Sequence, residues 1–440
     1  MKALGAVLVL ILVLSSSRAE SDRQEYIVTL KRGQQISAIN NAHKTRTVRK
    51  IPRTSIYLVQ DDGDGRENGT LNDLQKDPAI ESVEKNGRVK LRSDRQALPI
   101  NGLTSAMASL LDGQSLTNFY GTTVLKSYID QPALTLARVT AVRDISTGAG
   151  ARVAYIDTGV DPYHPALRPW LEPGVDLLSD GTGSELEGLS SAMASLLDSA
   201  MASLLDGRFF FLLDSAMASL LDSGRGPVFP PDFGHGCLVA GVIHVIAPNA
   251  RIIPIKAFDL YGNTTMFRVI EGVYRAKDLD ADVLNMSFSA SQYSVTLRKA
   301  IADASAAGVA VVASVGNDGL NVNHIYPASY PGVIGVAATD LNDRLAGFSN
   351  YGKSVSMVAP GTYIVSTVPG GKYAAAWGTS FSTPIISGAL AVLAATRGHG
   401  QADSSLVLNT ADDIDKLNPG FEKQLGRGRI NLRRALKEKN

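Results

Sequence analysis

From about residue 150 to residue 360 the chain alternates short Val/Ile-rich runs with longer stretches of helical periodicity. The runs Arg152–Ile156, Arg251–Ala257, Val283–Phe288, Val309–Val315, Gly332–Ala337 and Ser354–Ala359 read as strands. Thr265–Leu279 and Val295–Ala307 read as helices between them. Continuous apolar strands alternating with helices predict a parallel sheet covered on both faces. In such sheets reactive groups gather beyond the C-terminal strand ends. A further apolar run, Ile385 to Ala395, reads as a buried helix, with Pro384 expected in its first turn.

The N-terminal part has a different rhythm. Tyr26–Leu30 and Ser55–Val59 read as strands, Leu71–Lys76 as part of a helix, and Ile80–Leu91 as a turn and another strand. This is a small αβ module, spanning about residues 20–92. Residues 93–123 lack clear periodicity and read as a linker, with a larger domain over 124–440. Before the module, Lys2 is followed by an apolar run from Ala3 to Leu14 and by Ser17-Arg18-Ala19. That pattern predicts a secretory signal over residues 1–19, cut after Ala19. Twelve apolar residues fall short of the ~20 that span a bilayer, so no membrane span is expected.

One pattern fits no element. The octapeptide Ser-Ala-Met-Ala-Ser-Leu-Leu-Asp begins at Ser105, Ser191, Ser199 and Ser215. Its residues favour helix. On a helix of about 3.6 residues per turn a period of eight rotates by roughly 80° per copy, so tandem copies share no apolar face. A coiled coil or solenoid is therefore disfavoured. The copies read as a surface insertion, about 180–226, that either carries an interaction patch with Phe209-Phe210-Phe211 or has no specific role.

Composition narrows the partners. The net charge is +1, from 43 basic and 42 acidic residues, which gives no reason to expect nucleic acid. One cysteine, Cys237, excludes an internal disulfide. No His, Cys and carboxylate spacing suggests zinc. At 440 residues the chain is long enough to bury a large core.

Candidate chemistry begins at Gly378-Thr379-Ser380-Phe381-Ser382-Thr383-Pro384. It sets a hydroxyl at a helix N-terminus, where unpaired N–H groups and the positive dipole end favour developing negative charge. A serine needs a base and a group to orient that base. Val153-Ala154-Tyr155-Ile156-Asp157-Thr158-Gly159 is a strand ending in a carboxylate, and Phe233-Gly234-His235-Gly236-Cys237 puts a histidine at a helix start. His164 is the competing histidine, but it lies in a proline-flanked loop with no helix start after it. A fourth segment, Val311 to Gly319, holds Asn317.

These segments, in the order Asp, His, Ser, resemble the boxes of the subtilisin-like serine proteases, the subtilases. The resemblance covers roughly Tyr128 to Leu436. It implies a three-layer, doubly wound α/β fold preceded by an inhibitory α+β propeptide of ferredoxin-like fold; a separate αβ binding domain is the alternative for that module. It implies a secreted or periplasmic serine endopeptidase made as a zymogen, with protein or peptide substrates and its own propeptide as intramolecular inhibitor. Catalysis would fall to Asp157, His235 and Ser380, with Asn317 at the oxyanion. Substrate would lie along Ser287, Phe288 and Ser289 and against Ser314, Val315 and Gly316, with Ile325 near the pocket base. No cofactor is implied beyond the structural calcium that family members carry, for which no ligands match here. Ser289 and Ala290 stand where the family usually has two glycines. The alternative function is a weak or self-processing homologue acting as a binding protein.

Overall fold

The computed structural model describes residues 23–61, 67–91, 115–178, 211–212, 232–398 and 402–438. The expected signal segment and all four octapeptide copies lie outside them, as does all of the expected insertion but Phe211–Leu212. The chain falls into two compact units. One comprises Met1–Arg88 with Thr265–Glu271 and Ser294–Leu297; the other comprises Val89–Thr264, Gly272–Tyr293 and Arg298–Asn440.

The smaller unit contains β1 (Glu25–Leu30), α1 (Ile36–His43), β2 (Thr45–Lys50), β3 (Ile56–Asp61), α2 (Glu67–Lys76) and β4 (Ile80–Lys85). The strands form an antiparallel sheet in the order β2-β3-β1-β4. This βαββαβ arrangement is ferredoxin-like. Tyr26, Val28 and Leu30 alternate onto one face and pack with Ile39, Val59, Leu74 and Ile80. The pattern reading missed α1 and β2. β2 is an edge strand whose sequence, Thr-Arg-Thr-Val-Arg-Lys, is mostly exposed, so it carries no hydrophobic signal.

In the larger unit a hairpin, β5 (Leu116–Phe119) and β6 (Thr122–Leu125), straddles the end of the expected linker. Its turn is Tyr120-Gly121, both at positive φ (48° and 87°), the geometry that suits hairpins. Tyrosine is not a typical residue there, so no turn signal was visible.

The main sheet comprises β7 (Arg152–Asp157), β8 (Val175–Asp176), β9 (Arg251–Lys256), β10 (Val283–Met286), β11 (Ala310–Ser314), β12 (Val333–Thr339) and β13 (Met357–Pro360). All seven are parallel, in the order β13-β12-β11-β10-β7-β9-β8. The order reverses direction at β7, so a crevice opens beyond its C-terminal end, where Asp157 lies. β10 ends at Met286, two residues short of the expected Phe288, because the chain leaves the sheet there for the cleft.

Helices cover both faces. α3 (His235–Ile246) and α6 (Thr379–Arg397) lie on the face of Asp157 and pack closely: a Cβ on Gly388 would come within 2.6 Å of Ile246 Cβ. α4 (Met266–Asp278) packs on the opposite face, where Gly272 meets Ile156 and Ile255, and α5 (Val295–Ala306) follows β10 in the chain. Asp157 and Ile156 face opposite layers because side chains alternate along a strand. An antiparallel ladder, β14 (Ile364–Val368) with β15 (Lys372–Ala376), borders α3. Among the described residues α6 alone has the length and hydropathy to cross a membrane, and it is buried in the core.

Candidate active site

The candidate site draws its side chains from separate segments of the larger unit. Asp157 closes β7 and is fully buried. Its Oδ1 takes Nδ1–H of His235 at 2.7 Å and the Thr158 N–H at 2.8 Å. A carboxylate on Nδ1 fixes the imidazole tautomer and leaves Nε2 as acceptor.

His235 is the first residue of α3, after Gly234 at φ 88°. Gly236 follows because no side chain fits: a Cβ there would lie 2.1 Å from the Gly159 carbonyl oxygen. Its N–H donates to Thr158 Oγ1 at 3.0 Å. Thr158 thus ties the end of β7 to the start of α3, a role the sequence reading did not assign.

Ser380 is the second residue of α6. Its Oγ donates to the Ser287 carbonyl at 3.1 Å, and the Ser287 hydroxyl donates back to the Ser380 carbonyl at 2.8 Å. The reason lies four residues on. Pro384 is the sixth residue of α6, not in the first turn as expected. Having no N–H, it cannot pair with the Ser380 carbonyl. Ser287 Oγ supplies the missing donor, and itself accepts from Asn285 Nδ2 at 2.9 Å.

Asn317 lies in the loop after β11 and is 8 % exposed. Its Oδ1 accepts the Thr379 N–H at 2.7 Å and the Thr379 hydroxyl at 2.6 Å. Two donors on the oxygen fix the amide, so Nδ2 faces the other way; it lies 3.3 Å from where a Cβ of Gly378 would be. An amide donor, a helix-N-terminal N–H, a hydroxyl and an oriented imidazole share one cleft. That set suits acyl transfer through a tetrahedral oxyanion.

The subtilase family model matches residues 148–428. The chain belongs to the subtilase family. It is 32% identical to a thermophilic serine proteinase of Bacillus sp. (strain AK1), over 67% of this chain and 63% of that one. It is 31% identical to thermitase of Thermoactinomyces vulgaris, over 67% of this chain and 91% of thermitase. Its fold matches the crystal structure of fervidolysin from Fervidobacterium pennivorans with a TM-score of 0.67 at 23% identity, over 95% of this chain and 61% of that one.

The cleft of this subtilase is lined by Leu91, Asp232, His235, Ser287, Phe288, Ser289, Ser314, Gly316, Asn317 and Ser380. Val315, expected among the substrate contacts, is fully buried and is not among these lining residues. Ile325 is buried and not part of the lining. Leu91 and Asp232 were not foreseen. The Leu91 N–H donates to the Gly262 carbonyl at 2.7 Å.

His164 is committed elsewhere. Its Nδ1 accepts from the Ala166 N–H, so Nε2 donates to the Lys372 carbonyl at 2.9 Å, and burial holds its pKa below the usual value. Cys237 is buried in α3. Phe381 lies against His235, ring centroids 5.6 Å apart. Among the described residues no group of three or more His, Cys, Asp or Glu is placed to hold a metal ion.

Proposed function

We propose that the chain is a secreted serine endopeptidase that cleaves peptide bonds through an acyl-enzyme and is made as a zymogen. The observation that carries this reading is the 2.7 Å Asp157–His235 contact in one cleft with Ser380 and Asn317. Ser380 Oγ attacks the scissile carbonyl. His235 Nε2 takes its proton and returns it to the leaving amine, while Asp157 stabilises the imidazolium. Asn317 Nδ2 and the Ser380 N–H receive the oxyanion. The secretory pattern at residues 1–19 and the ferredoxin-like smaller unit support export and a removable inhibitory propeptide.

A fluorophosphonate probe tests the nucleophile. The native chain is expected to label and to hydrolyse casein, and Ser380→Ala to do neither. Labelling that survives Ser380→Ala overturns the assignment. N-terminal sequencing of the secreted form tests the zymogen: a start beyond Arg88 supports it, and a start at Glu20 overturns it.

A further inference from the structure

We propose that Ser289 sets the width of the primary substrate pocket and confines the residue before the scissile bond to small side chains. The proposal rests on reading Ser380 as the nucleophile. With the oxyanion at Asn317, the acyl residue's side chain falls beside the segment just before Asn317, between Ser314–Gly316 and the facing Ser287–Ser289.

The two walls nearly meet at Ser289. A Cβ built on Gly316 would lie only 2.9 Å from Ser289 Oγ, so the hydroxyl reaches across to the opposite backbone. Ser289 is 4 % exposed. A glycine at this position would leave that space open.

Neither wall is free to retreat. Behind Ser289, Ala290 exchanges both backbone hydrogen bonds with Tyr326, at 2.6 and 2.8 Å. Tyr326 packs on Tyr330 and Tyr293, with centroids 4.6 and 5.3 Å away. Opposite, Gly316 sits at φ 91°, and Asn350 clasps its loop. The Asn350 N–H donates to the Gly316 carbonyl at 3.0 Å and Nδ2 to the Val315 carbonyl at 2.9 Å. Asn350 Oδ1 accepts from the N–H groups of Asp318 and Leu320. With both walls pinned, an aromatic ring must displace the Ser289 hydroxyl, whereas alanine or serine need not. Forcing extra volume between fixed surfaces is unfavourable.

The test is a series of peptide p-nitroanilides that differ only in the residue before the scissile bond, Ala, Leu or Phe, read as kcat/KM. The native enzyme is expected to prefer Ala to Phe. Ser289→Gly is expected to raise the Phe-to-Ala ratio by about tenfold or more, the scale at which pocket size discriminates. Ser289→Val is expected to lower the Leu-to-Ala ratio. A native preference for Phe, or a ratio unmoved by Ser289→Gly while Ser380 still takes the fluorophosphonate label, overturns the pocket assignment alone. No turnover and no label overturns the nucleophile reading, and the pocket proposal with it.

Discussion

At the scale of single residues, the proposed oxyanion donor depends on a neighbour. Asn317 points Nδ2 into the cleft because Thr379 holds its Oδ1 through both N–H and hydroxyl. Asn317→Ala is therefore expected to cut kcat by about 10²–10³, the magnitude known for the corresponding donor of subtilisin, a relative. Thr379→Val keeps the N–H and loses the hydroxyl. It is expected to lower kcat by about tenfold, one hydrogen bond to a group used in the transition state, with KM little changed. In the Asn317→Ala background the same substitution has no amide left to orient, so it costs little more. Steady-state kinetics of the two single variants and the double variant check this. Full additivity of the two losses would refute the positioning role.

At the scale of elements, α6 begins with an irregularity that the segment just after β10 repairs. Pro384 removes the donor for the Ser380 carbonyl, and Ser287 Oγ replaces it. Ser287→Ala leaves that carbonyl without a partner, which costs about 1–3 kcal/mol. Pro384→Ala restores a backbone N–H, so adding it to Ser287→Ala is expected to recover part of the loss. Thermal unfolding of all four combinations measures the coupling, and purely additive shifts would sink the account. This dependence was hidden in the sequence, because a proline near a serine says nothing of where the helix starts. The Asp157, His235, Ser380 and Asn317 segments were legible, since each pairs a reactive residue with glycines or small residues at an element end. β2 and the β5–β6 hairpin were not, because an edge strand of exposed cations and a Tyr-Gly turn leave no apolar rhythm. Val315, read as part of a contiguous wall with Ser314 and Gly316, is fully buried, a burial that its place in the run Val311–Val315 did not distinguish from that of its neighbours.

At the scale of the whole molecule, the core of the larger unit contains a titratable ring that the proposed chemistry does not use. His244 sits on α3 about two and a half turns from His235 and is fully buried. It stacks on Trp170 at 6.0 Å and on Tyr128 at 6.4 Å, and Phe119 meets it edge-on at 5.6 Å. Neither ring nitrogen finds a hydrogen-bond partner among the described residues. Burial, with a smaller contribution from His164, lowers its pKa to about 3. The unfolded chain takes up this proton near pH 6.5, while the folded chain refuses it until about pH 3. Between those limits the unfolded state binds more protons, so folding stability rises with pH across the window and falls on acidification. Above pH 6.5 the ring is neutral in both states and contributes no slope. His244→Leu keeps a side chain of similar bulk without the titration. Whatever fixed packing difference it introduces is the same at every pH, so the informative quantity is how the gap between variant and native changes. From pH 8 to pH 4 the variant is expected to gain about 3 kcal/mol relative to the native chain. Denaturant unfolding of the Ser380→Ala background, which prevents self-digestion, measures the gap at both pH values. A gap that stays constant would mean that His244 titrates alike in both states, and that acid unfolding starts elsewhere in the fold.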